Sequence, residues 1–144
     1  GLSKSPVVDV KVAVFYGSYH AVDSSDMAFK IAALMGFRDG FMQCKPVILE
    51  PIYNVAIVVP EDFTGDIMGD LSSRRGKISG MDPEGRYQKV KGAVPLAELY
   101  NYSVDLRSMT SGQGYYTREF SHYEEVPRDI TEKVIAEIKL SKEE

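Results

Sequence analysis

Two histidines are the side chains of this sequence best suited to proton transfer near neutral pH. His20 lies in the segment 17–23, and His122 follows Ser121 at the end of a predicted strand. No serine or cysteine nucleophile is recognisably paired with either histidine in the sequence, which argues against a hydrolase. We expect His122 to be a structural surface residue. For His20 a structural and a functional role are equally open, because its segment combines flexible, hydrogen-bonding and stacking groups at an exposed turn.

The glycines of this sequence do not form a phosphate-binding loop. Residues 76–77 resemble the end of a Walker A motif, but Leu71 and Ile78 occupy the positions that require glycine and Ser/Thr. Residues 112–114 lack the third glycine of a dinucleotide-binding fingerprint, and they precede a predicted strand where that fingerprint opens a helix. Both segments are better interpreted as helix ends.

Acidic residues and the cysteine offer little for metal binding. Asp62, Asp66 and Asp70 recur every four positions on one predicted helix, so they share a face that could hold a cation. Without further ligands at suitable spacing, we expect a solvated acidic face. Cys44 is the only cysteine, which excludes an intrachain disulfide and a multi-cysteine metal site.

Basic residues cluster around a predicted central hairpin. Six positive side chains accompany only two negative ones there, Asp82 and Glu84, although the whole chain carries a net charge of −4. Such a local excess suits contact with a phosphate backbone, while the alternative is a hairpin made soluble by its charges. The basic residues are Arg74, Arg75, Lys77, Arg86, Lys89 and Lys91.

An aromatic segment follows the last predicted turn. Residues 114–120 begin with glycine and contain two tyrosines, an arginine and a phenylalanine, a composition found in strands that stack on RNA bases. In the RNA-recognition fold that signature lies on the third strand, whereas here it lies on the fourth. We therefore favour tyrosines in the core or at its rim.

The hydrophobic periodicity predicts two units. Residues 8–16 alternate like a strand, and a helix capped by Asp23, Ser24 or Ser25 follows and ends between residues 40 and 44. One strand and one helix leave the sheet edges unpaired, so we expect the earlier strands of this domain to lie outside the sequence.

The second unit has the order β-α-β-β-α-β. Strands are predicted at 47–59, 77–81, 86–94 and 115–123, with helices opening at Pro60 and Pro95 and a hairpin turn at 82–85. This order predicts an α+β, ferredoxin-like fold with two helices on one face of a four-stranded antiparallel sheet. A last helix follows Pro127, with an apolar stripe of Ile130, Val134 and Ile138.

The composition is that of a globular protein in a reducing compartment. Of 144 residues, 44% are apolar and 26% are charged, so extensive disorder is not expected. No apolar run approaches the length of a membrane span, and the N-terminus has no secretory pattern. We expect a cytoplasmic location and no membrane partner.

Several segments together resemble elongation factor G, the ribosomal translocase family. They occur in family order along nearly the whole chain, which makes the resemblance more specific than any single motif. The segments lie at residues 6–12, 17–20, 22–32, 49–52, 65–71, 73–76, 94–99, 105–108 and 120–123.

The resemblance implies a ribosome-contacting module without a nucleotide site of its own. Residues 1–45 would be the end of the fourth domain, a β-α remnant of a ribosomal-S5-like fold whose tip enters the decoding region. Residues 46–126 would be the fifth domain, near the GTPase-associated rRNA, and 127–144 a C-terminal helix. The family hydrolyses GTP in an N-terminal domain, so GTP and magnesium belong to the parent protein, with no cofactor or enzymatic activity expected here.

The resemblance implies rRNA and ribosomal proteins as partners, and the unpaired edge of the first strand separately predicts a homodimer. Family members usually carry arginine where this chain has Glu84 and Gln113, which favours as an alternative a paralogous factor in ribosome recycling. A ferredoxin-like regulatory or ligand-binding module is a further alternative. The residues implied to contact the ribosome are Ser18, Tyr19, His20, Asp23, Arg74, Arg75, Lys77 and Gln113.

Overall fold

A computed structural model describes residues 5–140 of the chain. Contacts between Cα atoms divide them into two compact units. The sheet unit is Leu49–Glu125, and the flanking unit comprises the described residues up to Ile48 and from Val126 onward. The helices and strands, in chain order, are α1 Asp26–Gln43, β1 Leu49–Pro60, α2 Thr64–Ser73, β2 Lys77–Glu84, β3 Tyr87–Pro95, α3 Tyr102–Met109, β4 Tyr115–Glu125 and α4 Arg128–Leu140.

The sheet unit confirms the predicted ferredoxin-like fold. Its four strands lie in the order β2-β3-β1-β4, and every neighbouring pair is antiparallel. Alternation along β1 sends Val55, Ile57 and Val59 into the core, where they meet Ile67 and Leu71 of α2. Those five side chains are almost completely buried, so α2 is held to the sheet by apolar packing.

Several element boundaries differ from the prediction, and two of the differences have a clear backbone cause. The hairpin turn is only two residues long, Gly85 and Arg86, because Gly85 adopts a positive φ of 65° that lets the strands continue through Glu84. The helix expected from Pro95 is divided into a 3₁₀ turn, Leu96–Leu99, and α3. Extended Tyr100 and left-handed Asn101 separate them, so the helical hydrogen-bond pattern is interrupted.

In the flanking unit the predicted helices are confirmed, but the predicted strand at residues 8–16 is wrong. Ser25 caps α1, its Oγ accepting the Ala28 N–H at 3.1 Å. Residues 8–16 are exposed and pair with no strand among the described residues, and Asp9 has a positive φ of 56°. A strand is defined by ladder hydrogen bonds to a neighbour, which apolar alternation alone cannot supply.

The end of α2 is a tight reversal that brings two arginines to the sheet. The Gly76 N–H donates to the Leu71 carbonyl at 2.8 Å, and the Arg75 N–H donates to the Ser72 carbonyl at 3.2 Å. This is a Schellman motif, but the left-handed position usually taken by glycine is occupied by Arg75, with φ 58°. Glycine stands one residue later, where a Cβ would lie 2.6 Å from the Leu71 carbonyl oxygen.

We predict that Gly76→Ala destabilises the sheet unit, because its Cβ meets a backbone oxygen at 2.6 Å that cannot move without opening the motif. The expected loss in the free energy of unfolding is about 1 to 3 kcal/mol, measured by urea denaturation. Gly69→Ala is the matched control: Gly69 lies inside α2, and a Cβ added there would have no atom within 4 Å, so alanine should stabilise by about 1 kcal/mol. Equal effects of the two substitutions would contradict the prediction.

Candidate functional site

The loop before α1 carries His20 at an exposed, internally bonded turn. The His20 N–H donates to Ser24 Oγ at 2.8 Å, and the Ser24 N–H donates to the His20 carbonyl at 2.8 Å. Together with the Ser25 cap, these bonds tie the turn to the first turn of α1. The backbone around His20 is therefore ordered while its imidazole faces solvent.

The other residues predicted in this loop are also at the surface. Ser18, Tyr19 and Asp23 lie outside the core, with 70% of Tyr19 accessible to solvent. Val22, between His20 and Asp23, is 94% accessible. The loop thus presents an imidazole, a phenol, a carboxylate and an apolar side chain together, which suits contact with a large partner more than chemistry on a small molecule.

Arg74, predicted from the sequence as an RNA contact, is held inside the sheet unit by three polar contacts. Its Nε donates to Asp70 Oδ2 at 2.9 Å, its Nη2 to Asp105 Oδ2 at 2.7 Å and its Nη1 to the Glu98 carbonyl at 2.9 Å. The guanidinium also lies 4.8 Å from the centroid of the Tyr102 ring. Burial opposes the charge, yet the two carboxylates outweigh it and raise the pKa of Arg74.

Arg75 forms a second set of internal ion pairs. Its Nη1 and Nη2 donate to the two carboxylate oxygens of Glu50 at 2.6 and 2.9 Å, a bidentate geometry. Its Nε donates to Glu98 at 3.1 Å. The hydrogen bonds from Arg75 to Glu50 are the main reason that the pKa of Arg75 is raised. These contacts join the end of α2 to the start of β1 and to the 3₁₀ turn.

The positive charge counted from the sequence is therefore not the charge that this surface presents. Lys77 lies 3.4 Å from Glu124, Lys89 2.7 Å from Glu84, and Lys91 2.5 Å from Asp82. Three further carboxylates from distant segments, and Asp70, surround the two arginines. Contact with RNA stays a prediction for Arg74, Arg75 and Lys77. In the folded protein carboxylates lie beside these positive charges, so they do not form an uncompensated basic patch.

Gln113 is displayed by a rigid turn between α3 and β4. Buried Thr110 donates through Oγ1 to the Leu106 carbonyl at 2.7 Å and accepts the Gly114 N–H at 2.8 Å. The Gln113 N–H donates to the Thr110 carbonyl at 3.0 Å, while its side chain is exposed. Gln113 therefore lies on the surface at a fixed position, outside the ion pairs that hold the two arginines.

His122 lies at the surface, as predicted, but it does have a serine partner. Ser121 Oγ is 2.9 Å from His122 Nδ1, and His122 Nε2 is 2.9 Å from Glu124 Oε1. The hydrogen bond from His122 is the main reason that the pKa of Glu124 is lowered. This serine–histidine–carboxylate chain was missed by the sequence analysis, yet the side chains of His122 and Glu124 are nearly half exposed to water on β4, which is unlike the enclosed site of a hydrolase.

The acidic face of α2 gives no support to a cation site. Asp70 is used by Arg74, and no group of three metal-ligating side chains occurs among the described residues. Within the same part of the chain, no helix is both long and apolar enough to cross a membrane.

Comparisons with known proteins identify the two parts of the chain separately. Residues 1–45 match the sequence profile described as elongation factor G, domain IV, and residues 47–134 match the profile described as elongation factor G C-terminus. A crystal structure of a Thermus thermophilus protein is similar, with 46% sequence identity and a TM-score of 0.76. That match covers 87% of this chain and 19% of the other, so the chain spans about a fifth of that protein. The chain belongs to the elongation factor G family and comprises its domain IV and C-terminal segments.

Proposed function

We propose that this chain is the ribosome-contacting part of an elongation factor G-like translation factor whose GTPase domain drives translocation on the ribosome. The ordered, exposed loop around His20 is the observation that carries the proposal, because a tip that must enter a crowded site needs a fixed backbone and free side chains. The module acts by occupying space and by contacting rRNA, and it has no catalytic role of its own. Its proposed location is the cytoplasm.

The sheet unit is proposed to make a second contact with the ribosome. Gln113 and Lys77 are exposed and available for it, whereas the guanidinium groups of Arg74 and Arg75 offer only the N–H groups that their carboxylates leave unused. We propose that these two arginines mainly fix the shape of the contact surface. Family members usually carry arginine where this chain has Glu84 and Gln113, so the proposed contact has less positive charge here. For this reason a paralogous factor acting in ribosome recycling is the second candidate.

A ligand-binding module is the remaining alternative, and its candidate site is an open groove on the sheet unit. This groove has a volume of about 650 Å³ and lies beside the start of α3. Arg118 and Asn101 supply polar groups to its lining. A small ligand that bound there would favour a regulatory role over ribosome contact.

The chain is expected neither to bind nor to hydrolyse GTP, because the residues 76–77 close a helix and leave no loop of free N–H groups for a phosphate. Titration calorimetry with magnesium–GTP checks this, with a known phosphate-loop GTPase as the positive control. Micromolar binding with one site per chain would contradict the prediction.

In a full-length factor carrying this segment, His20→Ala is expected to slow translocation by about tenfold while GTP hydrolysis is nearly unchanged, since His20 is exposed on this chain and the GTP site is expected in a different domain of the parent protein. The measurement is single-turnover translocation alongside phosphate release. His122→Ala is the matched control, because His122 is the other exposed histidine and lies on β4. Equal losses in both activities would show that His20 acts on hydrolysis or folding.

Residues 8–16 are expected to mediate a homodimer of the isolated chain. Their backbone forms no ladder with the described strands, and Val14 and Phe15 are 88% and 97% accessible to solvent. Sedimentation velocity should show a dimer at high concentration that Val12→Lys disrupts and Ala13→Lys, on the other face of the alternation, disrupts less. A monomer at the highest soluble concentration would refute this expectation.

A further inference from the structure

A strip of aromatic side chains and one arginine runs along the sheet unit at β4, with half-buried Tyr53 at its inner side and exposed Phe120 and Tyr123 beside it. We call Tyr53, Arg118, Phe120 and Tyr123 the aromatic strip. The Tyr53 and Phe120 ring centroids are 5.9 Å apart with an edge-on geometry, and those of Phe120 and Tyr123 are 5.3 Å apart. Phe120 and Tyr123 remain 48% and 61% accessible, so the rings touch one another without being covered.

A β-bulge brings these rings to the same face. Ile52 pairs with His122 and Tyr53 pairs with Phe120, which leaves Ser121 as an extra residue in β4. In a regular strand, positions 120 and 123 would point to opposite faces. With one residue inserted, Tyr123 pairs with Pro51 and lies on the face of Phe120 and Tyr53.

Arg118 differs from the arginines at the end of α2. Its guanidinium lies 5.7 Å from the centroid of the Tyr53 ring. No carboxylate among the described residues forms a salt bridge with it, whereas Arg74 and Arg75 each have two. Arg118 therefore combines an uncompensated positive charge with a planar group already positioned on an aromatic face.

We propose that the aromatic strip binds unpaired nucleotides of RNA. Bases stack on Phe120 and Tyr123, and Arg118 contacts a phosphate or stacks as a third plane. Exposed aromatics next to an arginine are the means by which proteins hold single-stranded RNA, since every base has a π-face and every linkage a negative charge. The inference rests on the proposed ribosome contact and deepens it by naming its surface and its chemistry.

Charge favours RNA over a protein as the occupant. An apolar protein partner would complement the three rings but would leave the guanidinium of Arg118 without a counterion, at a cost when buried. A phosphate backbone satisfies both features of the strip. Only one cation takes part. A plot of the logarithm of the binding constant for single-stranded RNA against the logarithm of the salt concentration should therefore have a slope of about −0.7.

The test measures binding of the chain to fluorescein-labelled ten-nucleotide oligo(A) and to a ten-base-pair RNA duplex by fluorescence anisotropy. We expect tighter binding of the single strand. Phe120→Leu, which keeps apolar bulk, and Arg118→Gln should each weaken it by about fivefold or more. Arg86→Gln is the matched control, because it removes the same charge from the turn between β2 and β3, at the opposite edge of the sheet. Thermal unfolding of each variant confirms that it is folded.

Three results overturn the inference. They are no binding of oligo(A), equal binding of strand and duplex, or equal losses in Arg118→Gln and Arg86→Gln. Pelleting of the chain with ribosomes separates this failure from failure of the proposed function. If the chain binds ribosomes but not RNA, the proposed ribosome contact stands. If Phe120→Leu then abolishes ribosome binding, the aromatic strip binds a protein instead of RNA. Absence of ribosome binding refutes the proposed function itself.

Discussion

The pairing of Arg75 with Glu50 is the interaction on which the geometry of the sheet unit depends. β3 ends at Pro95, so the starts of β1 and β2 are no longer separated by a strand at that end of the sheet. Arg75 bridges this gap with a left-handed backbone, and its side chain is fixed by two carboxylates. Glu50 is only 12% accessible, so this ion pair is shielded and its loss would leave a charge poorly solvated.

Arg74 joins the two helices of the sheet unit in the same way, through ion pairs. Asp70 of α2 and Asp105 of α3 share its guanidinium, and the ring of Tyr102 lies beneath it. The adjacent arginines thus connect both helices, the 3₁₀ turn and β1, while the apolar core supplies most of the favourable burial. The two arginines therefore fix the shape of the sheet unit, and the surface available to a partner is formed by other residues.

The side chains proposed to contact a partner are positioned where the backbone departs from regular structure. The bulge at Ser121 aligns Phe120 with Tyr123, and the reciprocal hydrogen bonds between His20 and Ser24 order the loop before α1. In both places a local departure from regular structure orients side chains toward solvent. The two units therefore each present functional groups from a fixed backbone, which lowers the entropy lost when a large partner binds.

The sequence by itself determined the order of the second unit, its ferredoxin-like class and the position of α1, because periodicity and capping depend on neighbouring residues. It also carried the family resemblance. It could not decide the partners of Arg74 and Arg75, since Glu50, Glu98 and Asp105 are 23 to 31 residues away and only folding brings them together. Nor could it place Phe120 beside Tyr123, because a one-residue bulge is fixed by cross-strand register. No strand forms at residues 8–16, because a ladder needs a neighbour and none of the described strands provides one.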